Sequence, residues 1–490
     1  MSEIHFIDTT LRDGQQSLWA LGMKTGAMLP IATQMDRIGF ESMEFFVSIM
    51  LKKYVREHKE NPWVWLREGS KRFRRTRLRN HGGMHGSGAM EKLPHAAMRL
   101  FVERVVSYGV TLTRTSNCWN DFEEMRDEVR ELRDVGMETV VNLIYSVSPR
   151  HTDDYYAKKA RQAASIRPYR ICFKDVGGLL TPERARTLIP AILQNAGDTP
   201  VEYHAHCNNG LAPLCYLEAV RLGINALHTA IPPLANGSSQ PSILNVARNL
   251  RALGYTPVVN DEEVKPVEEH FTTVAKREGL AIGKPFAYDE SQYLHQVPGG
   301  VISNLRHQLK LVGKEDRLQE TLEEAARVRA DFGYPIMVTP LSQFVVSQAA
   351  INVIVGDRYK EVTDQVIQYA LGIWGKEAPV LLASNVKDKI LSRPRAKEWK
   401  GWQPRDLSLK EVRDKFGGAS DEELLLRVYA GSDAVKALAN EGAPRPQLDG
   451  KQPLFRLLEE LSKMKDCNQI FIRKPGFALA LRKAAGATAE

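Results

Sequence analysis

Short apolar, β-branched runs alternate with helical stretches through the first half of the chain, and that alternation restricts the fold more than any other feature. Strand-type runs are read at 4–10, 42–47, 75–80, 110–116, 139–145, 169–174, 201–207 and 226–231. Helical patterns follow them at 25–39, through 63–67, and at 94–108, 121–135, 152–165, 181–196, 212–222 and 242–253. Strands joined by helices run parallel, because a helical crossover brings the chain back to start the next strand at the same edge. Eight such units in the first 255 residues or so predict an α/β chain built as a (β/α)₈ TIM barrel, with only the third unit irregular. Chemistry is then expected where strands end and the βα loops begin.

Beyond about residue 260 the pattern turns mostly helical. Helices are read at 262–281, 301–312, 317–332, 342–355, 359–371, 409–416, 421–429 and 452–464, with a loop at 285–300. The stretch 385–404, rich in Lys, Arg, Pro and Trp, reads as a linker, and the chain after Lys474 reads as a partly disordered tail. The expected division is a catalytic barrel over 1–260, a helical domain over 261–475 and a tail over 476–490.

Bulk properties exclude several classes. With 43% hydrophobic and 26% charged residues the chain is globular, and no apolar run is long enough to span a bilayer. The opening Met1-Ser2-Glu3-Ile4 lacks a basic segment ahead of an apolar one, so a cytoplasmic protein is expected. Five widely spaced cysteines without a Cys-x-x-Cys pair fit a reducing compartment. The net charge of +8 is densest over Lys71-Arg72-Phe73-Arg74-Arg75-Thr76-Arg77-Leu78-Arg79, which reads first as a solvated face, next as a site for an anion. Nucleic acid comes last, because no aromatic-interleaved module surrounds the cluster.

Three strand ends carry residues with chemistry. His204 and His206 sit at i and i+2 on the seventh run, where a strand turns both to the same face. Alone the pair is a weak signal; two imidazoles make only half a coordination sphere. The first run ends in Asp8-Thr9-Thr10-Leu11-Arg12-Asp13-Gly14-Gln15-Gln16-Ser17, and the sixth ends in Lys174-Asp175. A lysine closing an apolar strand is unusual, because burying an ammonium is costly. A neutral lysine can form a Schiff base with a carbonyl substrate, or take up carbon dioxide as a carbamate whose oxygens ligate a metal. In the second case Asp13, Lys174, His204 and His206 form a set of two nitrogens and two carboxylate-type oxygens. Such a set suits Zn²⁺, with Mn²⁺ or Co²⁺ as substitutes.

The segments 8–17, Lys174-Asp175-Val176-Gly177-Gly178-Leu179-Leu180 and Gly237-Ser238-Ser239-Gln240-Pro241-Ser242 resemble the carboxyltransferase component of biotin-dependent enzymes. That family includes pyruvate carboxylase, the oxaloacetate decarboxylase alpha chain and the transcarboxylase large subunit. The likeness extends through Gln296-Val297-Pro298-Gly299-Gly300, Val338-Thr339-Pro340-Leu341 and Ser420-Asp421-Glu422-Glu423, covering residues 3 to 430. It implies that Asp13, carbamylated Lys174, His204 and His206 hold the metal. It also implies that Arg12 and Gln16 lie beside the substrate and that Arg79 binds its carboxylate. Ser238, where the family has threonine, would relay a proton. A carboxyl group would pass between carboxybiotin and a small anionic 2-oxo acid or acyl acceptor through a metal-stabilised enolate. Arg12 and the metal would stabilise the enolate oxygen.

No biotin-attachment module and no ATP-binding carboxylase domain are visible in the sequence; Lys463-Met464-Lys465 is the only near match to the former. Biotin is therefore expected from a partner chain, with biotin carrier and biotin carboxylase subunits as partners and a homodimer within a larger complex. The chain departs from the family at Phe46-Val47-Ser48, at Gly86, at Ser116-Asn117 and at Cys207-Asn208-Asn209, all expected to line the mouth and to alter the acceptor pocket. The competing readings are a metal-dependent aldolase or acyl-CoA lyase of the related barrel superfamily, and a non-catalytic assembly subunit.

Overall fold

The structure is a computed structural model that describes residues 2–84, 93–402, 405–438, 461, 469–474 and 476–482. Eight parallel strands close into a barrel: β1 (Glu3–Asp8), β2 (Ser42–Val47), β3 (Arg77–His81), β4 (Leu112–Thr115), β5 (Glu138–Ile144), β6 (Arg170–Asp175), β7 (Val201–Ala205) and β8 (Ala226–Thr229). Neighbours follow chain order, and β1 pairs with both β8 and β2 to complete the circle. All eight strands read from the sequence are present, several trimmed by the turns that follow them.

The helices form where capping and periodicity direct them. Thr181 accepts the Arg184 backbone N–H through its hydroxyl at 3.1 Å, and Pro182 opens the helix Pro182–Asn195. Asp121 accepts from the backbone N–H groups of Glu123 and Glu124, and the helix Phe122–Asp134 then buries Phe122, Met125, Val129 and Leu132 along one face. The helix expected over 25–39 is instead two short pieces, Thr25–Met28 and Ala32–Met35. Pro30 lies between them; it has no N–H to donate and its ring crowds the preceding turn. The second unit is filled by aromatic packing, with Phe45 stacked on Trp65 at 4.4 Å and both rings fully buried.

The barrel interior is polar. Barrels of this kind are filled mainly by Val, Ile and Leu. Here the inward side chains include Glu44, Arg79, Arg114, Asn142, Glu202, His204 and His228, all fully buried. The apolar share shrinks to a small cluster of Leu112, Val140 and Cys172. Arg79 on β3 meets Glu202 on β7 at 2.7 and 3.0 Å, a contact between opposite strands that passes through the barrel centre. Charges are tolerated there because each is paired and hydrogen-bonded.

The helical region divides between two cores. The helix Asp261–Glu278 sets Val264, Val267, Phe271 and Val274 into the barrel core, and the helices Leu409–Phe416 and Asp421–Ala430 return to it through Val412, Leu424, Leu425 and Tyr429. Residues between Val297 and Ala396 form a second core that also takes Trp119 from the barrel. The linker expected over 385–404 is folded. Helices Ser384–Leu391 and Pro394–Trp399 bury Val386, Ile390 and Ala396 in that second core, while their basic residues face outward. The expected tail begins as a strand: Gln469–Lys474 pairs antiparallel with Phe477–Arg482. The helix read at 452–464, Lys463-Met464-Lys465, the stretch 483–490 and Gly86 lie outside the described residues, apart from the single helical position 461. Among the described residues no helix is long and apolar enough to cross a membrane.

Candidate metal centre and active site

The site is assembled at the C-terminal end of the barrel, beginning with the turn after β1. The Thr9 backbone N–H donates to the Thr229 carbonyl at 2.9 Å and its hydroxyl to Gln240 Oε1 at 2.7 Å, tying this turn to β8 and its loop. The chain then coils tightly over Thr10–Gly14 and directs Arg12 and Asp13 inward, both buried. On β6, Lys174 stands in register with His204 of β7. The β6 loop reaches the end of β7 because Gly178, at φ +66°, has no Cβ; one there would lie 2.6 Å from the His206 carbonyl oxygen.

Asp13 Oδ2 lies 3.3 Å from His204 Nε2 and 3.7 Å from His206 Nε2. These three groups offer ligand atoms all within 4.8 Å of one another. His206 Nδ1 donates to the Ser238 carbonyl at 2.6 Å, which leaves its Nε2 lone pair facing Asp13. Burial, together with Arg114, His228, His206 and Lys174, holds His204 well below the ordinary imidazole range, and burial likewise lowers His206. Both rings are therefore uncharged near neutrality, with lone pairs available. Burial alone would raise Asp13, but Arg12, His206, Lys174 and Arg114 outweigh it and keep the carboxylate ionised. Two neutral imidazoles and one carboxylate converging at this spacing fit a divalent cation.

Lys174 is brought down to about 8, first by burial, then by Arg114 and Arg12 against the pull of Asp13. A substantial fraction is then a free amine near pH 8, the form that either forms a Schiff base or captures carbon dioxide. Arg12 is held by Glu44, with Nε at 2.7 Å from Oε2, and its Nη2 lies 2.9 Å from Asp13 Oδ2. The Ser238 hydroxyl donates to the Ser17 carbonyl at 2.9 Å, next to the ring its own carbonyl holds. Gln16 is exposed on the short helix at the mouth, whereas Gln15 is buried and bonded to the Leu11 carbonyl.

Arg79 is placed differently. Its Nε donates to Ser42 Oγ at 2.6 Å, and both terminal nitrogens are taken by Glu202. The carboxylate it binds is the chain's own, below Asp13 and His204. The departures from the family pattern are also largely spent on the fold. Asn208 donates to the Val176 carbonyl at 3.0 Å, Asn209 accepts from the Asp289 N–H at 2.6 Å, and Asn117 caps the turn before Phe122. Phe46 packs against Trp63 and Phe101 rather than facing the mouth.

Four site residues escaped the sequence reading. Glu44, Arg114 and His81 belong to the same charged cluster: Arg114 Nε donates to Glu44 Oε1 at 2.8 Å, and His81 is held well below its ordinary range by burial, Arg12, Arg114 and Lys174. Gln240 places its amide nitrogen 3.3 Å from His206 Nε2 and 3.5 Å from His204 Nε2. The signal for Glu44 and Arg114 was available: a charge inside an apolar strand, the same signal that singled out Lys174. The first part of the basic segment, residues 71–75, in contrast, precedes β3 and so lies at the opposite end of the barrel. There Asp36 accepts the backbone N–H groups of Arg74, Arg75 and Thr76, and the side chains of Arg37, Lys71, Arg74 and Arg75 stand exposed around a surface hollow.

Comparison with known proteins matches residues 293–462 to a conserved carboxylase domain. A pyruvate carboxylase subunit of Methanocaldococcus jannaschii is 33% identical over 93% of this chain and 81% of its own length. The 2-oxoglutarate carboxylase large subunit of Hydrogenobacter thermophilus is 32% identical over 79% of this chain and 60% of its own. Among solved structures, the carboxyl transferase domain of Rhizobium etli pyruvate carboxylase superposes with a TM-score of 0.80 at 22% identity, covering 100% of this chain and 85% of that one.

Proposed function

We propose, from the premise that the chain belongs to the carboxyltransferase family of the biotin-dependent carboxylases, that Asp13, His204, His206 and carbamylated Lys174 hold a divalent metal beside a 2-oxo acid or acyl acceptor. The observation that carries this reading is the convergence of one carboxylate and two uncharged imidazoles within 4.8 Å, with a partly neutral lysine on the adjoining strand. Carbamylation forms a bond between Lys174 Nζ and carbon dioxide with release of a proton, and converts a base that repels cations into an oxygen donor. When bound, the metal, Zn²⁺ by the donor set, supplies a Lewis acid that lowers the energy of an enolate, and biotin on a partner chain carries the carboxyl group. Family membership sets aside the aldolase-type and scaffolding readings.

The chain's own residues prepare that chemistry. Arg12, held in place by Glu44, offers its guanidinium at the edge of Asp13, where negative charge develops on the acceptor. The Ser238 Oγ keeps lone pairs free to accept a proton, and it would pass its own proton on to biotin or the acceptor by turning from the Ser17 carbonyl that holds it at rest. Gln16 contacts the acceptor from the mouth. Arg79 acts by holding Glu202. A biotin carrier, a biotin carboxylase subunit and a second copy of this chain complete the assembly, in the cytoplasm.

Purified chain should contain one divalent metal per polypeptide by elemental mass spectrometry, lost on His204→Ala and on Lys174→Ala. It should move a carboxyl group from free carboxybiotin to one member of a panel of 2-oxo acids and acyl thioesters. Metal-free protein that exchanges as fast as metal-loaded protein would sink the reading.

A further inference from the structure

At the end of the barrel away from Asp13 and His204, the basic segment borders a surface hollow. It encloses about 370 Å³, within the size range of small-molecule sites, and lies between the helical piece Ala32–Met35 and the turn into β3. Arg37, Lys71, Arg72, Arg74 and Arg75 line it. Asp36 is the one acid among the described lining residues, and its carboxylate is turned to the backbone. It accepts the N–H groups of Arg74, Arg75 and Thr76 at 3.0, 3.0 and 2.9 Å and is 6% exposed. Lys71 pairs with Glu68 at 3.2 Å, and the Arg72 guanidinium is tied to the Glu68 carbonyl. Among the described residues no carboxylate forms an ion pair with the guanidiniums of Arg37, Arg74 or Arg75.

We propose that this hollow is a binding site for a phosphate-bearing small molecule. A solvated face intersperses acids among its bases, whereas residues 71–77 contain no acid. Like charges gathered in one hollow repel, so the fold must hold them together. Two anchors do this. Asp36 fixes the backbone of residues 74–76, and Phe73 turns inward, 8% exposed, with its ring edge-on to Phe45 at 5.7 Å. Phe73 thereby divides the basic run into two pairs, Lys71-Arg72 and Arg74-Arg75, which both border the hollow. Arg37, just beyond the piece Ala32–Met35, adds a cation from a separate element. A guanidinium is a planar fork that matches phosphate oxygens, and several around one hollow suit a group carrying more than one negative charge. Because the hollow opens at the end of the barrel where the strands begin, its ligand takes no part in chemistry at Asp13, Lys174, His204 and His206. The site stands whether or not a metal binds there.

Inorganic pyrophosphate is the probe. Isothermal titration of the full-length chain at about 0.15 M salt, where diffuse attraction is screened beyond about 8 Å, should give saturable one-to-one binding with Kd below about 1 mM. Arg74→Gln combined with Arg75→Gln should weaken it at least about 10-fold, the loss of charge-assisted hydrogen bonds. Arg37→Gln should weaken it too, whereas Arg161→Gln, an exposed arginine on the helix Asp153–Ser165, should leave it unchanged. These variants alter exposed side chains and keep the backbone donors to Asp36, and circular dichroism checks that each is folded. No saturable binding by wild type, undiminished affinity in the double variant, or equal weakening by Arg37→Gln and Arg161→Gln overturns the proposal. Binding lost when wild type is stripped of metal by chelator would put the anion at the other end of the barrel and overturn it as well. Citrate bound as tightly as pyrophosphate would overturn the phosphate assignment, and a DNA duplex that displaces pyrophosphate with higher affinity would give this face to nucleic acid instead.

Discussion

Glu44 is the residue on which the two arginines nearest Asp13 depend. It holds Arg12 through Oε2 and Arg114 through Oε1, and burial, which opposes its charge, is overcome by those same two cations. Removing one partner from a buried ion pair strands the other at a cost of about 3–5 kcal/mol. Glu44→Ala should therefore lower the denaturation midpoint sharply, whereas Ser238→Ala, which loses one partly buried hydrogen bond, should leave it within about 1 kcal/mol of wild type. Denaturant titration followed by fluorescence checks both. Asp8 supplies a pH signature. Burial, opposed by two hydrogen bonds from Thr10, raises its carboxyl from the ordinary 3.8 to about 7. The folded chain keeps this proton after the unfolded chain has lost it. The stabilisation is thus fully present below about pH 4 and is lost as pH rises to 7. At about 1.4 kcal/mol per pH unit, wild type should lose roughly 3 kcal/mol relative to Asp8→Asn between pH 5 and 7. Parallel stability curves for the two proteins would refute this.

At the scale of elements, the site depends on how closely the loops after β6 and β7 approach. Asp175 accepts the backbone N–H groups of Leu179 and Leu180 at 3.0 and 2.8 Å, and Gly178 brings the loop against His206. Gly178→Ala would need a left-handed conformation and would push its Cβ into the His206 carbonyl. The expected outcome is a loss of more than about 10-fold in metal affinity, with the far-UV circular dichroism of the barrel unchanged; wild-type affinity would show that the loop can move away freely. At the opposite end, Asp36 organises the turn into β3 by accepting three consecutive N–H groups. Asp36→Ala leaves those donors unpaired and should cost about 1–3 kcal/mol without altering metal content. The two substitutions distinguish the catalytic from the stabilising face of the barrel.

Across the whole molecule, the barrel and the second core are joined by buried polar contacts as well as by apolar packing. Arg329 donates to Ser146 Oγ, to the Val147 carbonyl and to the Pro335 carbonyl at 2.9, 3.0 and 3.2 Å, and the Trp119 indole donates to the Trp374 carbonyl at 2.9 Å. Gln296 reaches the same segment after β5. Arg329→Met removes a charged donor from carbonyls left buried, at roughly 1–3 kcal/mol. Calorimetry should then resolve two unfolding transitions where wild type shows one; a single transition in both would mean that apolar packing alone couples the cores.

Much of this molecule was legible in the chain. Short apolar, β-branched runs separated by helical patterns leave a closed parallel barrel as the economical solution, because each helix must cover the sheet and return the chain to the same end. Strand parity then turns His204 and His206 to one side, and the barrel rule brings Asp13 and Lys174 to the same end. The stretch 385–404 reads as a linker in the sequence and folds as two helices, because solvent-facing Lys and Arg on short elements look locally like unstructured chain. Arg79 was misplaced for a different reason. Its partner Glu202 lies 123 residues away on the opposite strand, and only closure of the barrel brings the two together. The same holds for Glu44 with Arg114 and for His228 with His204. Local periodicity therefore determined the barrel and which strand ends carry Asp13, Lys174, His204 and His206. Which buried charges neutralise one another was decided only by the tertiary structure, because inside a closed barrel a side chain's environment is set by strands that are distant in sequence.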